Sequence, residues 1–266
     1  MNNAVGSARL DLKAAFYSVI GDDETGKRVV HELERERVSQ KYLDIHRGSF
    51  TNYSIVLNYK AERTILQYAH PRTYHLPKFE PAKWIYYTAI GKNFSALETH
   101  LLHTCKDIRA KLAFNPGTGQ IRLGIKKLAR VFKHAEVVFV NKEEAEELVG
   151  DSVDIKGLMW KLRRYGPDIV VVTDGPNGAY ALNGVHRMYL PIFPVKPVER
   201  TGAGDAFATG FVSAVSYGHS VTEAMRWGAA NSASVVTKVG PQAGLLHKNE
   251  MMKWLARFKK IQPKMI

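Results

Sequence analysis

The sequence predicts an α/β protein: a doubly wound, mostly parallel sheet with helices on both faces and a small β-rich insertion. Three observations predict it. From Pro81 onward, strand-like and helix-like segments alternate, the order that builds a parallel sheet through helical crossovers. The run 168–173 is almost wholly β-branched, as suits a strand buried on both faces. And 266 residues with 45% hydrophobic content are enough to bury one large core.

A helix is expected at 5–10, then an apolar strand at 14–20, a turn at 21–26 and a helix over about 26–37. A sheet of this kind normally begins with a strand, so the chain reads as N-terminally incomplete. Between 51 and 70 the pattern becomes β-rich, with Tyr53, Ile55, Leu57 and Tyr59 on one side and the polar residues 60–63 as a turn before a strand at 64–68. We therefore expect residues 1–41 and 71–266 to form the α/β domain and 42–70 a β-rich insertion. Strands at 83–89, 111–115, 136–140 and 168–173 then alternate with helices at 95–110, 121–133, 142–149 and 154–165. A last helical run leads from 203 to Tyr217, and the Lys259-Lys260 region reads as a frayed basic end.

Composition bounds the function. The formal charge is +13, but 38 Lys and Arg are interspersed with 25 acids, with no zinc-finger spacing or RNA-binding aromatic signature. That reads as solvated surface charge and predicts no nucleic-acid partner. The single cysteine, Cys105, excludes an internal disulfide framework and a cysteine metal cluster, and favours a reducing compartment. No stretch reaches the roughly 20 apolar residues of a membrane span, which predicts a soluble cytoplasmic protein without a membrane partner.

The most informative motif is Thr-Gly-Ala-Gly-Asp-Ala-Phe at 201–207. It sets Asp205 behind a glycine-rich turn and ahead of a helix. Small residues let backbone N–H groups approach an anion, and the helix start adds partial positive charge, so chemistry on a phosphate is indicated. The alternative is an ordinary helix cap by Asp205. Asn141 and Glu144 come just after a strand and suit either phosphate and hydrated-metal binding or a plain capped helix. Thr173-Asp174-Gly175-Pro176-Asn177-Gly178 reads as a hairpin turn between Val172 and Tyr180 whose glycines permit close backbone approach to a ligand. No Gly-x-x-x-x-Gly-Lys-Ser/Thr and no Gly-x-Gly-x-x-Gly after the first strand are present.

Together these segments resemble the ribokinase, or PfkB, family of carbohydrate kinases. The stretch 198–211 resembles the family's second signature, with Glu199-Arg200 where Asp-Thr is usual. Residues 2–23, 62–64, 115–117, 141–144, 173–178 and 229–244 resemble further family segments in the family's order. The resemblance implies a ribokinase-like fold and transfer of the γ-phosphoryl group of ATP to a hydroxyl of a sugar or nucleoside. It implies Asp205 as catalytic base, with Gly202, Ala203 and Gly204 forming an anion hole. Asn2 and Arg63 would bind the acceptor, with Arg63 on a lid formed by the inserted sheet. Asn141, Thr173, Gly175, Gly178, Asn231 and Gly240 would face the nucleotide, and Glu144 would act on Mg²⁺ through water. A monovalent cation and a homodimer through the lid are further implications. The family's Gly-Gly pair and the strand bearing its substrate-binding Asp are absent, which leaves a non-catalytic nucleotide- or sugar-binding relative as the alternative.

Overall fold

Helix α1 (Asn2–Arg9) is followed by strand β1 (Ser18–Gly21), helix α2 (Glu24–Arg35) and strand β2 (Leu43–His46). The structure is a computed structural model that describes the chain apart from Lys60, Ala61, Lys92, Asn93 and residues 151–153; of residues 58, 59, 62 and 63 it describes the backbone alone. The first strand is shorter than the apolar run suggests, because Ala15 makes only a single bridge to Ser39 before β1 pairs in parallel with β2. Asp23 caps α2 by accepting from Gly26 N–H at 2.9 Å, so the helix starts two residues earlier than the periodicity indicates.

The insertion is an antiparallel hairpin of β3 (Tyr53–Tyr59) and β4 (Glu62–Tyr68), a two-stranded sheet of its own. Residues 43–46, grouped with the insertion on the sequence, pair instead with β1. The hairpin's base is fastened to the β1–α2 turn, where Thr51 Oγ1 donates to Asp23 Oδ1 at 2.6 Å and the Gly21 amide donates to Thr51 Oγ1 at 2.9 Å. Arg72, buried, donates to Ser49 Oγ at 2.8 Å and also to the Phe50 carbonyl. Apolar side chains stand exposed on both strands, including Ile55, Leu57, Ile65 and Leu66.

The main sheet then builds through β5 (Trp84–Tyr87), α3 (Ser95–Asp107), β6 (Lys111–Phe114), α4 (Thr118–Ile121), α5 (Ile125–His134), β7 (Ala135–Asn141), α6 (Lys142–Val149), α7 (Ile155–Arg163) and β8 (Ile169–Thr173). The helix expected at 121–133 is divided in two, because Gly124 adopts φ +79° and resets the backbone before α5. After a 3-10 turn (Gly175–Asn177) come β9 (Ala179–Asn183), β10 (His186–Leu190), α8 (Ala203–Ser216), α9 (Val221–Val235), α10 (Lys248–Arg257) and β11 (Lys264–Met265). The basic end is therefore not frayed: β11 pairs antiparallel with β10 at the sheet's edge.

The seven-stranded order is β11-β10-β9-β8-β7-β6-β5; strands β5 to β8 are parallel and the other three antiparallel. Period-two alternation divides each central strand between two cores. Val137, Phe139, Ile169 and Val171 face α8, α9 and α10 through Ala208, Phe211, Trp227 and Met251. Val138, Val140, Val170 and Val172 face α3, α5 and α7 through Leu101, Leu128 and Leu158. Each such apolar side chain, fully buried, contributes on the order of 1.5–3 kcal/mol, which is why the continuous β-branched run signals a central strand. Helices α8 and α9 cross closely: a Cβ on Gly210 would lie 2.5 Å from the Trp227 carbonyl oxygen.

Candidate active site

Four parallel strands end at one edge of the sheet, and the site is built from residues at or just beyond those ends. Tyr86 lies near the end of β5, Asn115 just after β6, Asn141 at the end of β7 and Thr173 at the end of β8. The carboxyl ends of parallel strands are where open α/β sheets bind ligands.

Opposite this edge, α8 begins. Gly202 sits at its N-cap with φ +81° and ψ 2°, a left-handed conformation that only glycine adopts at no steric cost. The first-turn amides of an α-helix have no intrahelical acceptor, so the turn over Gly202, Ala203, Gly204 and Asp205 concentrates N–H donors and the positive end of the helix. One of them is partly used: the Ala203 amide donates to the Arg200 carbonyl at a long 3.3 Å. Gly204 is exposed, with no heavy atom within 4 Å of the position its Cβ would take.

Asp205 is half-buried in this first turn and does not cap the helix with its side chain. Its Oδ2 accepts from Asn2 Nδ2 at 2.9 Å, and Asn2 Oδ1 in turn accepts from Gln242 Nε2 at 2.9 Å. Asn3 donates to Thr209 Oγ1 at 2.9 Å and to the Asp205 carbonyl at 3.2 Å, fixing α1 to α8. Asn2, expected from the resemblance to bind the acceptor, has its amide NH₂ engaged with the Asp205 carboxylate.

Asn141 and Glu144 realise the helix-cap alternative. Asn141 Oδ1 accepts from the Glu144 amide at 2.8 Å while Glu144 Oε2 accepts from the Asn141 amide at 2.8 Å, a closed capping box at the start of α6. Burial holds the Glu144 carboxyl above the usual carboxylate range; the Asn141 amide opposes this, and the charges of Glu143 and Asp205 add to it. Tyr86 lies within the field of both acids: burial, then the Asp205 charge, push its phenol well above its ordinary value, with Glu144 adding. Its hydroxyl donates to Asn115 Oδ1 at 3.3 Å, and Asn115 Nδ2 donates to the Phe139 carbonyl at 2.9 Å. Asp205, Glu144 and Tyr86 thus lie within reach of one another's charge although they are far apart in sequence.

The segment after β8 is a hairpin turn to β9. Gly175 at φ +48° is open to solvent, and Gly178 at φ +101° presses against the Leu190 carbonyl oxygen, 2.3 Å from a built Cβ. Thr173 is partly exposed at the strand end. Gly240 takes φ +92°, and its amide donates to Glu199 Oε2 at 2.7 Å, joining the loop after α9 to the turn before α8.

Asn231 requires a correction. It is fully buried, donating to the Ala206 carbonyl at 2.8 Å and accepting from the Leu246 amide at 3.0 Å, so its amide ties helices together instead of meeting a nucleotide. The side chain of Arg63 lies outside the described residues. Tyr86 is not among the residues the sequence marks for the site, and Gln242 is marked only as part of the segment 229–244; packing between distant elements brings each near Asp205.

An acid in the first turn of a helix whose amides are open, within the field of a second acid just after β7, is an arrangement suited to chemistry on a phosphate. The family model described as "pfkB family carbohydrate kinase" matches residues 1–249. The chain is 27% identical over 265 residues to the ribokinase of Haemophilus influenzae, covering 96% of this chain and 85% of that one. An E. coli protein provisionally called Ribokinase II, solved with ATP and Mg²⁺, shares the fold with a TM-score of 0.87 at 18% identity, covering 96% of this chain and 87% of the other. The aminoimidazole riboside kinase of Salmonella enterica, solved with its riboside and an ATP analogue, does so with a TM-score of 0.81 at 23% identity, covering 96% and 90%. The chain belongs to the pfkB family of carbohydrate kinases. It is a phosphotransferase of that family, a sugar or nucleoside kinase that uses ATP. Among the described residues, no helix is long and apolar enough to cross a membrane.

Proposed function

We propose that the chain transfers the γ-phosphoryl group of ATP to a hydroxyl of a monosaccharide, with Asp205 as the general base. The observation that carries this reading is the Asp205 carboxylate in the first turn of α8, held by Asn2 through one oxygen and beside amides able to receive phosphate oxygens. The acceptor oxygen forms a bond to the γ-phosphorus as the bond to the β–γ bridging oxygen breaks. Asp205 takes the hydroxyl proton, and ADP leaves. Positioning and charge stabilisation supply most of such a rate enhancement, the amides of Gly202 to Asp205 acting on the transferred oxygens.

The residues fit a hydrated divalent cation. The Glu144 carboxyl lies within the field of the Asp205 charge, an acidic pair near the open amides of α8. Mg²⁺ prefers one or two carboxylates completed by phosphate oxygens and water, and when bound it neutralises ATP phosphate charge. Glu144 would hold it through water, with Asn141 supporting that carboxylate. Thr173, Gly175 and Gly178 on the hairpin rim, with Gly240 beside the turn before α8, would border the nucleotide. A monovalent cation beside the turn at 199–202 belongs to the same reading, although Glu199-Arg200 stands there in place of the family's Asp-Thr.

The β3–β4 hairpin would act as a lid that excludes water from the acceptor and carries Arg63 toward it. Its exposed apolar faces favour pairing with a second copy's lid in a homodimer, since water against Ile55 and Leu66, 50% and 52% exposed, is unfavourable. The domain division at residues 42 and 70 rests on the same proposal. A cytoplasmic location, with no nucleic-acid or membrane partner, accords with a lone buried thiol and dispersed charge.

The test is ADP release from Mg·ATP across sugars, sugar phosphates and nucleosides, with Asp205→Asn as control. Sugar-dependent release that falls about 10²- to 10⁴-fold in the variant supports the reading. Release with nucleosides alone replaces the acceptor class. Silence across the panel with retained ATP binding identifies a non-catalytic relative.

A further inference from the structure

We propose that Gln242 is a positioning residue for Asp205, acting through Asn2 and coupling the loop after α9 to the base. The proposal rests on the reading of Asp205 as that base. Its starting point is polarity. An ionised carboxylate only accepts hydrogen bonds, so the Asn2 group 2.9 Å from Asp205 Oδ2 is its NH₂. The Asn2 carbonyl oxygen therefore faces Gln242, and Gln242 presents its own NH₂ at 2.9 Å. Each amide has one orientation because the next is fixed. Asn2 occupies Oδ2, which leaves Oδ1 of Asp205 to accept the acceptor's proton.

The far end of this chain of hydrogen bonds is anchored. The backbone carbonyl of Gln242 accepts from Arg9 Nη1 at 2.7 Å, and Arg9 is clamped by Glu36 through two bonds of 2.8 and 2.7 Å. Burial opposes ionisation of Glu36, yet its carboxyl lies below the ordinary range, the Arg9 hydrogen bond being the largest cause. The loop bearing Gln242 also meets the turn before α8 twice more. Gly240 donates to Glu199, and Pro241 packs so closely on Gly202 that a Cβ there would lie 2.6 Å from the proline Cβ. A displacement of residues 240–242 thus reaches both the anion-hole turn and the orientation of the base.

The test compares Gln242→Glu with Gln242→Ala, measuring kcat, KM for ATP and acceptor, and Tm, with Asp205→Asn alongside. Glutamate keeps the shape but cannot donate; it draws the Asn2 NH₂ to itself and turns the Asn2 oxygen against Asp205. Alanine merely releases Asn2, which still donates to the base. We expect Gln242→Glu to lower kcat about 10- to 100-fold, the loss of a hydrogen bond to a charged group, with KM for ATP changed less than about threefold. Gln242→Ala is expected to lower kcat several-fold less. In the Asp205→Asn background, Gln242→Glu has no further effect, because position 205 no longer takes the proton.

A wild-type kcat in Gln242→Glu overturns the proposal. So does a larger loss in the alanine variant, or an effect confined to KM, since a packing role favours the isosteric change. If Gln242→Glu does not fold, the Gln242→Ala turnover decides, and an unchanged kcat there is likewise adverse. Full turnover in Asp205→Asn refutes the base itself. Collapse in Asp205→Asn with normal turnover in both Gln242 variants refutes only the positioning role.

Discussion

Two glycines of the same turn, Gly202 and Gly204, are predicted to separate stability from turnover when each becomes alanine. Gly202 has φ +81°, and a Cβ there would meet Pro241 Cβ at 2.6 Å and Cα at 2.8 Å. A left-handed non-glycine residue costs about 1–2 kcal/mol, and forcing a methyl into packed backbone about 1–3 kcal/mol more. The sum of roughly 2–5 kcal/mol corresponds to a Tm fall of about 5–15 °C in a chain of this size. Gly204 has ordinary helical φ and open space around its Cβ position. Alanine there gains roughly 0.5–1 kcal/mol of helix preference, so Tm stays or rises slightly. The added methyl stands at the mouth of the amide cluster, and kcat should fall about 10²- to 10³-fold, as when an oxyanion donor is lost. Calorimetry and ADP release on both variants provide the assay. Normal turnover in Gly204→Ala would refute the phosphate seat, and an unchanged Tm in Gly202→Ala would refute the packing calculation.

Two further outcomes concern the framework behind the site. Asn231→Ala leaves the buried Leu246 amide without its acceptor, at about 1–3 kcal/mol, and removes a second bond from the Ala206 carbonyl; urea unfolding should show a lower midpoint with an unchanged slope. Glu98 is held above the usual carboxylate range, chiefly by burial against the opposing hydrogen bonds of Tyr87 and Gln120. The folded state binds this proton more tightly than the unfolded one, so stability is lost as pH rises through the folded value. Glu98→Gln keeps an acceptor for the Tyr87 hydroxyl, now 3.1 Å from Glu98 Oε1, and should raise Tm at pH 7–8 while matching the wild type below the carboxylate range.

The class of fold and the glycine-rich turn at the start of α8 were legible in the sequence because both are written in local terms. A β-branched run such as 169–173 has one economical fate, burial on both faces, and the glycines of 202–204 mark a turn that other residues resist. Asn141 and Glu144 stood out for the same reason, a cap three residues long, and the capped-helix alternative stated for them is present at the start of α6. The C-terminal strand carries too little pattern by itself to be legible: Lys264 and Met265 become a strand only because β10 offers an unpaired edge.

The connections among site residues were decided by tertiary structure alone. Asn2, Asp205 and Gln242 lie 203 and 240 positions apart along the two hydrogen bonds that join them, and no periodicity spans such distances. Asn231 is the converse case, since its segment pointed to a nucleotide pocket but the close crossing of α8 and α9 buried it and turned its amide inward. Sequence by itself determined which backbone segments bend, extend or coil, because those preferences are settled within a few residues. Which carboxylate oxygen is held, which amide is spent on structure and which acids share a field depend on packing between distant elements, and only the folded chain sets those distances.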